Sequence, residues 1–151
     1  MIDSTNRCYI VEPGSVGPMS APERLIVDGM NVLGSRPDGW WRDRPGAMER
    51  MTRRLAAFAE REGVDLTVVW DGREHQRVAA AGEGIEVRFA PGGPDAEDHE
   101  ILRLIHADDD PDAITAVSSD RRLRNSVKAA GAVGIGAGEL LRRLVDSEDP
   151  G

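Results

Sequence analysis

The 151-residue chain predicts an α/β domain with a central, mostly parallel sheet of about five strands flanked by helices. Three observations carry that expectation. Short apolar runs alternate with longer amphipathic segments, as a parallel sheet with covering helices requires. Leu25-Ile26-Val27, Val68-Val69-Trp70 and Ala116-Val117 are apolar without a break, which suits strands buried on both faces. Each of these runs ends on or just before an aspartate: Asp28, Asp71 or Asp120. In open α/β sheets ligands bind at that strand end.

The first strand is read at Arg24 to Asp28. A loop rich in Gly, Pro, Trp and Arg follows, from Gly34 to Gly46. The first helix places Met48, Met51, Leu55 and Phe58 on one face and stops at Gly63, a C-cap residue. Leu66 to Asp71 and Ile85 to Ala90 are the second and third strands. Pro91-Gly92-Gly93-Pro94 then breaks the chain before Asp95 opens a second helix, with Ile101, Leu102, Leu104 and Ile105 as its apolar side. The fourth strand is Ala113 to Ser118, and a third helix runs from Ser119 or Asp120 to just before Gly131. Ala132 to Ile135 is a short fifth strand, and Glu139 to Val145 a final amphipathic helix.

This organisation gives one domain, residues 23–146. Residues 1–22 mix Pro, Gly and Ser without periodicity and read as a disordered leader, with Met19 as an alternative start. Residues 147–151 read as a frayed acidic tail.

Composition narrows the function classes. Hydrophobic content of 40% and charged content of 30% are ordinary for a globular chain. No apolar stretch approaches the ~20 residues that span a bilayer, and no secretory signal opens the chain. The lone Cys8 excludes an intramolecular disulfide and points to a reducing, cytoplasmic setting. A net charge of −8 argues against a non-specific nucleic-acid coat. It leaves room for an acidic metal site, whose ion offsets local charge. Lys128 is the only lysine, so the basic residues are almost all Arg, the better bidentate phosphate ligand.

Four motifs carry candidate chemistry. Asp28-Gly29-Met30-Asn31 leaves a carboxylate at a strand end with an amide three residues on; an Asx-type turn explains it equally. Asp71-Gly72 repeats the construction, although Asp-Gly is also a common turn. Asp95-Ala96-Glu97-Asp98-His99-Glu100 holds more acid than a helix N-terminus requires. Helical spacing puts Asp95, Asp98 and Leu102 on one face, which favours Asp98 as a ligand with Asp95 as cap or support, and leaves His99 at the surface. Ser118-Ser119-Asp120-Arg121 is either an N-cap or a ligand set beside an anion-binding helix start. Gathered at one sheet edge, such carboxylates need protons or cations: two of them ~4 Å apart repel by roughly 4 kcal/mol at an effective dielectric near 20.

The series LIVDGMNVLG, VVWDG, EDHEI and SSDRRLRNSVKAAGA resembles the YacP-like branch of NYN-domain ribonucleases, within the PIN-like nuclease superfamily. The likeness spans about Arg24 to Val145. It implies a three-layer PIN-like (Rossmann-like) fold whose acidic site hydrolyses RNA with Mg²⁺ or Mn²⁺. Carried over by motif, Asp28, Asn31, Asp71, Asp98 and Asp120 take the acidic-site positions, and Ser119 matches the serine of the family's T-S-D. The family's A-D pair reads Glu97-Asp98 here, so Asp98 is assigned by its offset from Ile101.

The expectation is therefore an endoribonuclease in which Asp28, Asp71, Asp98 and Asp120 hold the metal. Its RNA, free or as ribosome-associated mRNA, would run along Arg36, Arg42, Arg44, Arg73, Arg121 and Arg124. Trp40 and Trp41 either stack unpaired bases or pack as a lid. The alternative is an inactive PIN-like module that binds RNA or ribosomes. A Rossmann nucleotide binder is disfavoured, because Gly134-Ile135-Gly136-Ala137-Gly138 has the wrong spacing and follows the last strand.

Overall fold

A computed structural model of the chain describes residues 23–36, 38–93 and 95–148. The expected leader lies outside those residues. Five strands, β1 (Arg24–Asp28), β2 (Asp65–Asp71), β3 (Glu86–Ala90), β4 (Ile114–Val117) and β5 (Val133–Ile135), form one sheet in the order β3-β2-β1-β4-β5. Every pairing is parallel, so the expected α/β class with a central parallel sheet is the one observed.

Strand alternation sorts the core into two layers. Leu25, Val27, Leu66, Val68 and Trp70 face the layer covered by α1 (Gly29–Gly34), α2 (Arg44–Glu62), α3 (Gln76–Ala80) and α6 (Ala137–Glu148). Ile26, Val69, Ile114 and Ala116 face α4 (Ala96–His106) and α5 (Arg121–Ala129) on the other side. The indole N–H of buried Trp70 donates to Thr52 Oγ1 at 3.1 Å, which satisfies its one polar atom.

Sequence reading and structure part company at the short helices. The sequence reading assigns no helix between Asp28 and Gly34, yet Gly29–Gly34 forms α1, with Asp28 as N-cap. Six residues do not make a helix by propensity; Val32 and Leu33, both buried, hold it against the core. Part of the expected Gly34 to Gly46 loop is a 3₁₀ turn at Trp40–Asp43, and α2 begins at Arg44. The α3 turn, pinned by buried Val78, was also unforeseen. Helix α6 starts earlier than expected and runs on through Ser147 and Glu148, so the frayed tail does not begin at Ser147.

The strand order places the site. β1 lies between β2 and β4: the connection after β1 runs to β2 on one side, and the connection after β3 crosses back over the other face to β4. A crevice opens at such a reversal point, and ligands of open α/β sheets occupy it. Asp28 ends β1 at this point, and Ser118 follows β4 beside it.

A candidate acidic site at the carboxyl edge of the sheet

Asp28 is the anchor, only 5% exposed. Gly29 behind it is a packing requirement, since a Cβ there would lie 2.6 Å from the Trp70 ring. The Asn31 amide N–H donates to Asp28 Oδ1 at 3.3 Å, and the Ser118 hydroxyl donates to Oδ2 at 2.9 Å. Both carboxylate oxygens are thereby oriented by fixed donors.

The partner that the sequence reading did not choose as a site residue is Glu97. It is buried in the first turn of α4 and hydrogen-bonded to Asp28. Burial first, then that hydrogen bond and the Asp28 charge, push its carboxyl up to about 10. That shift favours the protonated form of Glu97, whose O–H can donate to Asp28. The Met30 amide N–H donates to Glu97 Oε2 at 3.5 Å, and Asp71 adds a smaller repulsion. A usable signal was present in the sequence: Glu97, Ile101 and Ile105 recur every four residues, so Glu97 extends the buried stripe of α4.

The remaining candidates surround this pair at different depths. Asp98 is half-buried, and its carboxyl is pushed up by burial and by the charges of Asp28, Asp120 and Asp95 in turn. Asp98, Asp120 and Asp95 line one small cleft together with His99, Arg122 and Ser126. Asp95 adopts a left-handed φ of 71° and its side chain makes no cap hydrogen bond. Asp120 caps α5, accepting from the amides of Arg122 at 2.9 Å and Leu123 at 3.4 Å. Asp71 sits farther out and pairs with Arg44.

Asn31 and Ser119 knit the loops. The Ser119 amide donates to Asn31 Oδ1 at 2.7 Å, while Ser119 Oγ accepts from the Ala137 amide at the start of α6 at 3.0 Å. The hydroxyl that meets Asp28 is that of Ser118, one residue earlier. Trp40 packs on the core and meets Trp41 edge-on at 6.1 Å; Trp41 is 60% exposed with Arg42 over its ring. Arg42, Arg73, Arg121 and Arg124 are exposed, whereas Arg36 pairs with Asp38.

Among the described residues, no three His, Cys, Asp or Glu side chains enclose a metal position as they stand. The donor chemistry is nonetheless of the type a hard divalent cation takes. Asp28, Glu97 and Asp98 offer only oxygen, and among the described residues no basic side chain is bonded to Asp28 or Glu97.

The candidate residues thus gather at the carboxyl edge of a parallel α/β sheet flanked by helices. The YacP-like NYN domain model matches residues 25–150, and the chain belongs to that family. Its fold is similar to the crystal structure of Rae1 (YacP) from Bacillus subtilis, at a TM-score of 0.65 and 23% identity over 82% of this chain and 74% of that one. A tryptophan-to-leucine mutant of the same protein gives 0.70 and 23% over 83% and 77%. No curated protein matches the chain. Among the described residues, no helix is long and apolar enough to cross a membrane.

Proposed function

We propose that the chain is a metal-dependent endoribonuclease whose site is the Asp28–Glu97 edge. The observation that supports it is a buried carboxyl pair, Asp28 and Glu97, at the carboxyl edge of the sheet, with no basic side chain bonded to either among the described residues. Mg²⁺ or Mn²⁺ would be held by Asp28, Glu97 and Asp98, with Asp120 and Asp71 at the margin. When bound, such an ion lowers the pKa of a water and stabilises the leaving oxygen.

The chain's own groups do the rest. Ser118 and the Asn31 amide keep Asp28 in one orientation. Glu97 in its carboxylate form would complete with Asp28 a two-oxygen-donor pair able to hold the ion. Asn31, its carbonyl oxygen engaged by Ser119, keeps its amide NH₂ for a phosphate oxygen or a water. Exposed Trp41 offers a stacking face to an unpaired base, which suits RNA in single strands or loops.

The test is cleavage of labelled RNA with Mn²⁺ or with EDTA, by the wild type and by Asp28→Asn. The substitution removes charge and little volume. Cleavage with Mn²⁺ only, lost in Asp28→Asn while the melting curve is kept, is the expected result. Equal cleavage by the variant would defeat the assignment.

The open spacing of the carboxylates favours a second reading, a PIN-like module that binds RNA without cutting it. In the same assay that protein retains the RNA uncut at every Mn²⁺ concentration.

A further inference from the structure

A groove on the α1/α2 face lies outside the acidic site. Arg36, Arg50 and Arg54 line it together with Asp38, which pairs with Arg36 at 3.4 Å, over a floor of Leu33, Ala47 and Met51, and it holds about 190 Å³. Arg50 and Arg54 are one turn apart on α2 and so project together. Arg50 has no ion-pair or hydrogen-bond partner among the described residues. Arg54 already grips an anion: its Nε and Nη2 donate to the two oxygens of Glu148 at 2.5 and 2.8 Å. That is the forked geometry by which arginine binds carboxylate or phosphate.

Glu148 is an odd occupant. It is the last residue of α6, where the helix dipole disfavours a negative charge, and the last turn of α6 holds no basic residue. It stays because arginines surround it. Arg54 first, then Arg61 and Arg36, hold its carboxyl below the ordinary range, and Arg61 secures neighbouring Ser147 at 2.8 Å. The groove is also connected to the acidic edge. Helix α1 starts at Asp28 and supplies Leu33 to the floor, and α2 starts at Arg44, which pairs with Asp71. At ~1.5 Å per residue, Arg54 lies about 15 Å along α2 from Arg44.

We propose that the Arg36–Arg50–Arg54 groove is a subsite for a backbone phosphate of the RNA strand, and that the Glu148 carboxylate occupies its Arg54 fork when RNA is absent. The proposal rests on the RNA-cleaving reading and extends the RNA path beyond the acidic edge. A phosphate entering the groove exchanges Glu148 for itself at Arg54 and gains Arg50 as a new partner.

The test is binding of a fluorescently labelled single-stranded RNA in EDTA, followed by anisotropy across a salt series. Glu148→Gln removes the competing charge and is expected to tighten binding several-fold. Arg50→Gln is expected to weaken it several-fold and to flatten the slope of log affinity against log salt by about 0.7, the value for one phosphate contact on a single strand. Arg54→Gln serves as a second loss variant. Unchanged affinity and slope in Arg50→Gln, or no gain in Glu148→Gln, overturns the subsite. Calorimetric titration of inorganic phosphate at fixed ionic strength supplies a control. Tight phosphate binding that displaces the RNA identifies a free-anion site and overturns a strand subsite; absence of phosphate binding beside these RNA effects supports one. If the wild type cuts RNA and Asp28→Asn does not, a negative Arg50→Gln result removes the subsite alone. If the wild type neither binds nor cuts RNA, the ribonuclease reading falls with it.

Discussion

Glu97 and Glu100 sit one turn apart on α4, yet the first carboxyl is pushed up to about 10 and the second held down to about 2. Glu97 turns to the sheet edge, where burial and Asp28 penalise its charge. Glu100 turns outward, where Arg103 donates at 2.7 and 2.8 Å and Arg88 at 2.6 Å. Where the fold uses a carboxylate as structure, it supplies arginines. Where Glu97 meets Asp28 at the edge, burial and the neighbouring charge favour a proton on Glu97 and no arginine is bonded to the pair, although Asp71 at the margin does pair with Arg44. That difference separates a candidate site from ordinary surface acid more sharply than the number of acidic residues does.

Glu97→Gln should break the contrast with the largest effect. The amide keeps the size of the side chain and can still donate to Asp28, so the fold persists. It can no longer become an anion when a metal enters, and Mn²⁺-dependent cleavage should fall on the order of 100-fold. Full activity in this variant would show that the buried pair is mere packing. The pH dependence of folding adds an independent readout. With Glu97 raised above its ordinary value of 4.5, the folded state keeps a proton that the unfolded chain releases. In EDTA the contribution is complete below about pH 4.5 and is lost progressively as pH rises toward about 10. The slope from this group is at most about 1.4 kcal/mol per pH unit. Urea titrations at several pH values should show that decline in the wild type and a flatter curve in Glu97→Gln.

Ser118→Ala sharpens the comparison at intermediate size. It deletes the donor at 2.9 Å from Asp28 and leaves a buried carboxylate oxygen with one partner fewer. The expected cost is about 1 to 3 kcal/mol of stability, with a loss of activity near tenfold as Asp28 gains freedom. Ser119→Ala is the natural control, because its hydroxyl ties α6 through Ala137 and does not reach Asp28.

Much of this architecture was legible because it rests on strong local signals. Apolar runs ending in Asp28 and Asp71 gave the strands and their shared edge, since strands buried on both faces admit no polar interruption. Glu97 was passed over because the motif's offset drew attention to Asp98, although the four-residue stripe with Ile101 and Ile105 marked Glu97 as inward-facing. The choice between Ser118 and Ser119 was not legible. It depends on how the chain turns after β4, which is set by contacts with Asn31 and Ala137 from distant parts of the sequence. Helix α1 was hidden for a similar reason, being held by buried Val32 and Leu33 against propensity.

Glu100→Gln tests the other half of the comparison, and its effect should be the smallest. Arg88 and Arg103 lose an ionic partner that lies at the surface, where solvent and salt screen the attraction. The expected loss is below about 1 kcal/mol at neutral pH, and cleavage should be unchanged. Because Glu100 is depressed from 4.5 to about 2, its contribution is present above about pH 4.5 and disappears as pH falls through about 2. That is the reverse of the Glu97 trend. Melts of Glu100→Gln and wild type should therefore converge on acidification, whereas those of Glu97→Gln and wild type diverge as pH rises. Parallel curves for the two variants would mean that α4 presents both carboxyls to equivalent surroundings, and the case for the buried pair as the centre of the site would lose its physical basis.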